Sequence, residues 1–600
     1  MIGASHGEPA GREWYAAISK HKEETQSTEK KLVRESDPRL LAESVLLGVV
    51  GALAAQVFMW ALRLCQHVFL IWMAGYRPPG LPEEGGVLTQ VIGRHGLLLI
   101  PVATTIGGLI SGLLVYNLAP EAEGHGTDTV VKAFHRTGGF IRARVAPLKL
   151  VASAITIGSG GAAGREGPIA LIGAGVGSIY ATLGKRRDDD RELLLLMGMA
   201  AGLSAIFRSP IGAAFFAVEV LYGSMEFEAG ALLYTMLASV VAYAVNGFFV
   251  GWSPLFFFPT AQLKLKPESY LWFGVLGIAG GLAGTLLPVV FYGLRDAFRA
   301  LPWPAWLNPA LGGLAVGLLA MKLPQVVGGG YGWIQEAIDG RLALELLLVL
   351  VFAKMLAFAL TVSSGGSGGV FAPSLFVGAM VGGAIASAAH LPAAAFVVVG
   401  MVAVFGAAAH VPVAALIMVT EMTGGYQLLP AAAFAVLLSY LLQGRMSAQL
   451  KYKSLYEAQV AGRAQSPARY VDSVNSALKI LGSRHLPKAA KVGHLDLVAV
   501  LDSGVGVQIP GRKELGIGVL RPESSLVGKT VEECYDIVGG GLEIVAVLRG
   551  EEVVLATPET RLLEQDRILT LGTPKARHEL AEHLAPVTPE HRQSATVVKN

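Results

Sequence analysis

Long apolar segments separated by short polar stretches run through most of the chain, from about residue 40 to residue 442. The segment 40–74 is long enough to cross a bilayer as one tilted helix, which needs roughly 20 apolar residues. Others, such as 413–422, are too short to cross, and they predict helices that span only half of the membrane. The remaining apolar segments are 96–118, 147–157, 193–221, 229–250, 274–292, 342–362, 375–388, 394–409 and 431–442.

Both ends of the chain are polar. Residues 1–37 carry mixed charge and lack the apolar core of a signal peptide, so we predict a cytosolic tail. After the all-α polytopic membrane domain, predicted at 38–458, a polar stretch at 459–500 indicates a linker. Strand and turn patterns then predict a small cytosolic α/β domain at 501–590. We therefore expect both termini in the cytoplasm and the body in the cell membrane.

The apolar region repeats itself. Nine of the nineteen residues from 159 to 177 recur 205 positions later, and the likeness continues downstream at a shift of 202. The pairs at 205 are Ser159/Ser364, Gly160/Gly365, Gly161/Gly366, Gly164/Gly369, Pro168/Pro373, Gly173/Gly378, Ala174/Ala379, Val176/Val381 and Gly177/Gly382. Those at 202 are Gly198/Gly400, Met199/Met401, Ala201/Ala403, Pro210/Pro412, Ala213/Ala415 and Glu219/Glu421. Glycine-broken segments at matching places are typical of transporters built from two halves.

The repeated glycine runs predict a binding site for an anion. In hydrocarbon every backbone N–H must be paired, so a glycine-rich interruption must be buried in protein or line a polar cavity. A glycine run followed by proline and an apolar segment predicts a helix that begins inside the membrane. The first N–H groups of a helix have no partner within it, and they carry partial positive charge. One such helix start in each half suggests a shared anion site near the midplane.

Composition supports a membrane protein and little else. The chain is 53% apolar and 16% charged, with 74 glycines and a net charge of only +3. That charge gives no indication of a nucleic-acid partner. Cys65 and Cys534 lie far apart, so neither a disulfide framework nor a cysteine metal site is supported. The run 158–163 resembles a dinucleotide loop only weakly, because no ribose-binding acid follows at the expected distance. We predict no enzyme activity and no cofactor.

Glu166, in the sequence GREGP, is the first candidate for chemistry. A carboxylate inside a membrane is costly unless it has a function or a partner. At a helix start, the ionised carboxylate can occupy the position that an anion would take, and the protonated form can leave it. The alternative is a glutamate in a surface loop, paired with Arg165.

GREGP, the later motif GVFAP and a tyrosine near the end of the apolar region together resemble the CLC chloride channels and chloride/proton antiporters. The resemblance covers about 40–457. It implies a CLC-type inverted-repeat fold with broken and tilted helices, and a homodimer with a separate chloride path in each subunit. Protons are an expected second substrate if the chain is an antiporter.

The resemblance also implies roles for individual residues. Glu166 matches the gating glutamate of the family, and its neighbour Arg165 is grouped with the anion-binding residues. Val370 and Phe371 match the positions whose backbone N–H groups hold the central anion. Tyr456, in SLYEA, matches the tyrosine whose hydroxyl points at that ion. In addition, Lys149 matches a lysine present in many members, and a structural partner for a buried carboxylate is its alternative role.

Two departures from the family pattern bear on mechanism. Where the family has a serine in its first anion motif, this chain has His125, followed by Gly126 and the helix-start signal 127–128. The histidine could donate an N–H to chloride and hold it harder when protonated, or the backbone alone could serve. In antiporters an acid often follows the residue aligned with Glu219, and here that position is Val220. For Glu219 itself we predict a structural role at a helix end.

Val220 favours a passive chloride channel, gated by voltage or pH, over a chloride/proton antiporter. Fluoride export, known from one branch of the family, is a lesser alternative. A regulated cation transporter is another, but no TVGYG-like filter occurs in the sequence.

The end of the chain resembles a different family. Residues 516–584 are similar to the C-terminal lobe of the RCK (TrkA-C) regulatory domains attached to bacterial ion transporters, and not to the paired CBS domains of many CLC relatives. The resemblance implies either an assembly module or a sensor of an unknown ligand.

Overall fold

The computed structural model describes residues 38–259, 267–462, 507–509, 513–521, 524–538, 542–549 and 552–584. The predicted N-terminal tail and most of the predicted linker lie outside the described residues. The chain forms two units, Met1–Gln459 and Val460–Asn600, each of which is described by itself.

The described part of the first unit contains sixteen α-helices, eight in each half. The first half comprises α1 (Pro38–Gln66), α2 (Ile100–Leu118), α3 (Thr127–Arg136), α4 (Val145–Gly158), α5 (Glu166–Leu183), α6 (Asp188–Phe207), α7 (Pro210–Glu219) and α8 (Ala229–Val250). A π-helical turn, His67–Met73, extends α1. The second half comprises α9 (Ser269–Arg299), α10 (Asn308–Ala320), α11 (Tyr331–Ile338), α12 (Leu344–Ser363), α13 (Phe371–Ala388), α14 (Ala393–Ala409), α15 (Pro412–Thr423) and α16 (Leu429–Ser447). Helices of the two halves correspond one to one in this order.

Helix lengths follow the predicted mixture of long and short segments. In the described residues, seven helical segments are long and apolar enough to cross a membrane, and five shorter apolar ones have 10 to 17 residues. Prolines at the first or second position of α7, α10, α15 and α16 fit helix starts, where the missing N–H is not needed. A short hairpin of β1 (Tyr76–Arg77) and β2 (Val91–Ile92) joins α1 to α2.

Repeated glycines bring the central helices into backbone contact. A Cβ at Gly173 in α5 would overlap the carbonyl oxygen of Gly198 in α6, and a Cβ at Gly378 in α13 would overlap that of Gly400 in α14. These four residues are matched pairs of the sequence repeat. The repeat therefore records the same close helix packing in both halves, as expected where small residues let membrane helices approach.

The described part of the second unit is a small α/β fold. Its antiparallel sheet has the strand order β3 (Val507–Ile509), β4 (Lys513–Val519), β7 (Arg567–Gly572), β5 (Leu542–Arg549), β6 (Glu552–Leu555). Two helices, α17 (Val531–Val538) and α18 (Pro574–His583), contribute to the apolar core that covers β5 and β7. Burial in this core raises the pKa of the Cys534 thiol to about 11, so the thiol stays protonated at neutral pH.

Candidate anion site

The two glycine runs meet at the centre of the first unit. Gly164 and Gly369 form an antiparallel bridge, with N–H to O distances of 2.8 and 2.6 Å. These residues are partners in the sequence repeat, so the chain crosses its own counterpart at this point. Two residues beyond the bridge on each strand, α5 begins at Glu166 and α13 begins at Phe371. The N-termini of the two matched helices therefore lie side by side.

Both helix starts are buried and lack side-chain caps. The residues before them, Arg165 and Val370, make no capping hydrogen bond, and they are 4% and 1% exposed. Free N–H groups at a buried helix terminus favour a negative charge. Residues 158–175 are buried throughout, so this polar backbone is enclosed in protein, as the sequence argument required.

Glu166 supplies a negative charge at this point. Its side chain is 1% exposed, and Oε2 accepts a hydrogen bond from the N–H of Ala372, in α13, at 3.4 Å. Its Oε1 has no hydrogen-bond partner among the described residues. The carboxylate of Glu166, from the first half, thus lies at the N-terminus of α13, in the second half. The alternative of a surface glutamate paired with Arg165 is wrong, because Glu166 is buried.

The guanidinium of Arg165 pairs with a different carboxylate. It donates to both oxygens of Glu84, at 2.6 and 3.1 Å, and lies 4.6 Å from the ring centroid of Tyr331. The charge of the guanidinium is therefore matched by Glu84, and anion binding by Arg165 stays a prediction.

Phe371 joins an aromatic cluster around the start of α13. Its ring centroid lies 4.2 Å from that of Phe405, 4.4 Å from Phe207 and 6.2 Å from Phe216. Phe216 lies in turn 6.3 Å from Tyr456. The predicted tyrosine and the start of α13 thus contact one common side chain from α7.

His125 also contacts Tyr456. The two rings are 5.4 Å apart and both side chains are buried. The backbone N–H of Asp128 donates to His125 Nδ1 at 3.4 Å. In the neutral ring the proton is therefore on Nε2, where it can be donated. Gly126, with a φ of +87°, forms the turn that starts α3 at Thr127, so the predicted helix start is present.

Lys149 holds the turn that carries His125. Its ammonium donates to the carbonyls of Ala122 and Gly124 at 3.0 and 2.6 Å. The predicted alternative, a partner for a buried carboxylate, is therefore wrong, since the partners are backbone carbonyls.

Lys354, which the sequence analysis did not single out, does the same in the second half. It donates to Val326 and Gly328 at 2.8 and 2.7 Å. The sequence repeat does predict this correspondence, because Lys354 lies 205 positions after Lys149 and extends the repeat upstream.

Two cavities lead to these lysine-held turns. One, of about 630 Å³, is lined by residues 124–126 together with Arg295 and Glu457. The other, of about 670 Å³, is lined by residues 328–330 together with Arg165. Because 124–126 and 328–330 correspond in the two halves, each half contributes one access cavity.

Two further glutamates form crossed helix caps. Glu219, at the end of α7, accepts from the N–H groups of Val413 and Ala414 at 3.2 and 2.6 Å, at the start of α15. Glu421, in α15, accepts in return from the start of α7. The structural role predicted for Glu219 at a helix end is confirmed.

Two mirrored helix N-termini around a buried carboxylate, each with its own access cavity, define an anion transporter built from inverted halves. The chain belongs to the voltage gated chloride channel family, whose model matches residues 107–444. A TrkA-C domain matches residues 519–585. Both predicted resemblances are confirmed, and the chain is a membrane protein for CLC-type chloride transport.

Named relatives agree with this assignment. A ClcB-like chloride channel protein of Ralstonia nicotianae is 30% identical over 415 residues, which cover 67% of this chain and 93% of the relative. The H(+)/Cl(-) exchange transporter ClcA of Citrobacter koseri is 30% identical over 443 residues, which cover 71% of this chain and 89% of the relative.

Solved structures share the fold. A slow cyanobacterial Cl-/H+ antiporter has a TM-score of 0.61 at 22% identity, covering 69% of this chain and 96% of that chain. A CLC-type fluoride/proton antiporter has a TM-score of 0.59 at 23% identity, covering 70% and 98%. The predicted fold class, a CLC-type helical membrane domain with a small α/β domain, is confirmed.

Proposed function

We propose that the chain exchanges chloride for protons and that Glu166 takes part in the transport of both. The observation that carries the proposal is the contact between the Glu166 carboxylate and the N–H of Ala372 at 3.4 Å, inside a buried site. An ionised carboxylate there occupies the position that a chloride ion would take at the start of α13. When chloride displaces the carboxylate, the carboxyl group accepts a proton and carries that proton away. The neutral acid has no negative charge, so the helix terminus does not attract it.

Chloride is held in this proposal by groups that surround the same point. Backbone N–H groups of Val370 and Phe371 face the ion from the start of α13, and the hydroxyl of Tyr456 donates from the opposite side. His125 or the Gly126 N–H completes the set at the start of α3. None of these donors carries a net charge, so the ion can leave as readily as it binds, which transport requires.

Exchange, the alternative in the sequence analysis, is preferred here to the passive channel that Val220 favoured. The ClcA relative is an H(+)/Cl(-) exchange transporter, and it is matched over 89% of its length. A passive channel remains the second candidate, because of Val220 and the channel protein among the relatives.

The setting of the protein is part of the proposal. We place it in the cell membrane as a homodimer with both termini in the cytoplasm. The TrkA-C domain serves assembly or senses a ligand.

Flux in reconstituted vesicles tests the proposal. An outward chloride gradient should draw protons into vesicles that contain the wild-type protein, and Glu166→Gln should stop the proton movement. Glu336→Gln removes a carboxylate that pairs with the exposed Arg341 and should behave as wild type. Chloride flux without any proton movement in the wild type would establish the channel instead.

A further inference from the structure

The hairpin that joins α1 to α2 carries a carboxylate that reaches the start of α5. Between β1 and β2, the short turn Pro82–Glu84 has two neighbouring glutamates, which make different contacts. Glu84 accepts two hydrogen bonds from the guanidinium of Arg165, at 2.6 and 3.1 Å. Glu83 instead accepts one from the hydroxyl of Ser253 at 2.6 Å. Of the two glutamates, Glu84 is therefore the one that contacts the residue before α5.

The ion pair between Glu84 and Arg165 is largely withdrawn from water. The side chain of Arg165 is 5% exposed and that of Glu84 is 21% exposed. The ring centroid of Tyr331, in α11, lies 4.6 Å from the guanidinium. Two parallel hydrogen bonds between a guanidinium and a carboxylate fix the orientation of both groups. Because a buried charge without its partner is strongly destabilising, Glu84 holds Arg165 in this orientation.

Glu84 is a negative charge among basic side chains. The arginines within electrostatic range of its carboxylate are Arg63, Arg165 and Arg208. Arg208, at the end of α6, also donates to the backbone carbonyl of Glu83 at 2.7 Å, which fixes the turn. Further basic side chains that line the same cavity of about 670 Å³ are His67 and Arg77. Removing the charge of Glu84 would leave the guanidinium of Arg165 without its ion-pair partner.

The charge of Arg165 acts on Glu166 and on an anion in the same place. Arg165 and Glu166 lie within electrostatic range, and further titratable groups in that range of Glu166 are Glu84 and Tyr456. A free guanidinium there would attract a chloride ion or the ionised carboxylate of Glu166, because opposite charges in a buried site interact strongly. The Nε–H of Arg165 has no hydrogen-bond partner among the described residues, so the guanidinium also retains a donor. Glu84 offsets this attraction, and weak binding lets an ion leave.

The ion pair is not part of the sequence repeat. At a shift of 205, the counterpart of Arg165 is Val370, which cannot form an ion pair. Both helix starts nevertheless follow the same antiparallel bridge between Gly164 and Gly369. A helix start of this kind therefore forms without an arginine, and the ion pair accompanies the half that carries Glu166.

We propose that Glu84 sets how tightly the candidate anion site holds chloride, by pairing with Arg165 and offsetting its charge. Glu84 is then a positioning residue, since it acts through Arg165. The effect on protons rests on the proposed exchange. When Glu84 loses its charge, the free guanidinium stabilises both bound chloride and the ionised form of Glu166, so Glu166 takes up protons at a lower pH.

Two variants in the hairpin test this inference. Glu84→Gln keeps the size of the side chain but removes its charge. We expect chloride to bind about tenfold more tightly and the pH of half-maximal proton movement to fall by about one unit, which is the same free energy. Glu83→Gln removes the same charge one position earlier, and both quantities should stay at the wild-type values. Titration calorimetry measures the affinity, and proton flux into vesicles at several pH values gives the profile.

A double variant separates the effect of charge from an effect on the fold. Glu84→Gln/Arg165→Gln carries neither charge, so it should bind chloride about tenfold more weakly than Glu84→Gln. Glu84→Asp keeps the charge, and its chloride affinity should stay close to that of the wild type. An ion pair that supports the fold alone would lower the yield of folded protein in these variants without tightening chloride binding in any of them.

The outcomes distinguish this inference from the proposed function. A wild-type protein that moves no protons with chloride overturns the proposed exchange, while the chloride affinities still decide the role of Glu84. Equal affinity in the wild type and Glu84→Gln, or equal tightening in Glu83→Gln, overturns the inference alone. Should Glu84→Gln fail to fold, Arg165→Gln replaces it, because the unpaired charge of Glu84 should then weaken chloride binding relative to the double variant. Equal affinity of those two proteins would likewise overturn the inference.

Discussion

The two halves of the membrane unit share a frame, which is the set of matched helices, close-packed glycines and lysine-held turns. They differ in the side chains that lie near the candidate anion site. Lys149 and Lys354 each bind two carbonyls of a glycine turn, at nearly the same distances. At the next matched point the halves differ, because Glu166 in one corresponds to Phe371 in the other. The residues that the halves share hold the backbone, and those in which they differ are the ones to which we assign the chemistry.

The same contrast recurs away from the central bridge. At these turns the repeat has a shift of 204, which relates Gly124 to Gly328 and the helix start Thr127 to Tyr331. Gly329 is therefore the counterpart of His125, so only one of the two lysine-held turns carries an imidazole. The repeat thus accounts for the shared fold, and the differences within it leave one carboxylate and one imidazole at a nearly symmetric site.

Removing the carboxylate that distinguishes the halves should have the largest effect. We expect Glu166→Ala to reduce chloride-driven proton movement to the level of protein-free vesicles, because among the described residues Glu166 is the carboxylate that is hydrogen-bonded to the start of α13. Chloride flux should continue, since the N–H groups remain. Proton movement at half or more of the wild-type rate would show that the halves do not divide their roles in this way.

Shared glycines should be equally intolerant in the two halves. Gly173→Ala and Gly378→Ala each place a Cβ against a backbone carbonyl, which forces two helices apart at a cost of about 1–3 kcal/mol or more. We expect similar losses of folded protein for both, measured by size-exclusion chromatography after extraction. Gly293→Ala, in α9, meets nothing within 4 Å and is the control. If only one central variant is affected, the frame is not symmetric.

The shared lysines should also behave alike. Lys149→Met and Lys354→Met each leave two buried carbonyls without a donor, at about 1–3 kcal/mol for each carbonyl, partly offset by the loss of a buried charge. A similar fall in melting temperature is expected for the two, against no change in the exposed control Lys322→Met. A fall confined to one of the two variants would mean that the other lysine does not stabilise its turn.

The imidazole should give the smallest effect. We expect His125→Ser to change chloride affinity by only a few fold, because serine also offers one donor. Burial and the cations Lys149 and Arg295 lower the pKa of His125, so the ring stays neutral and the pH dependence of chloride binding should not change. Titration calorimetry between acidic and neutral pH measures both quantities, with Gly329→Ser as the matched control. A pH dependence that is lost in His125→Ser would show that the ring is protonated when it binds chloride.

Sequence reasoning recovered what the repeat and local rules encode. Helix starts at Glu166 and Phe371 followed from glycine runs before proline, and their burial followed from the rule that unpaired backbone in a membrane must be enclosed in protein. The ion pair between Arg165 and Glu84 could not be predicted, because the two residues are 81 positions apart and no periodic pattern links them.

The crossed helix caps likewise could not be predicted from the sequence. Glu219 was predicted to lie at a helix end, but the helix that it caps begins more than 190 residues later. The match between Lys149 and Lys354, in contrast, can be read from the sequence, since Lys149 and Thr156 have counterparts 205 positions on. Local patterns locate helix ends, whereas contacts between halves require the fold.

Bromide binding tests the central claim most directly, because bromide replaces chloride and can be located by its anomalous scattering in crystals. The account predicts a bromide ion at the start of α13, beside the N–H groups of residues 370–372, in Glu166→Gln crystals. In wild-type crystals at the same bromide concentration, the carboxylate of Glu166 should occupy that position. Bromide at equal occupancy there in both proteins, or at that position in neither, would contradict the claim that the carboxylate and the anion compete for one place.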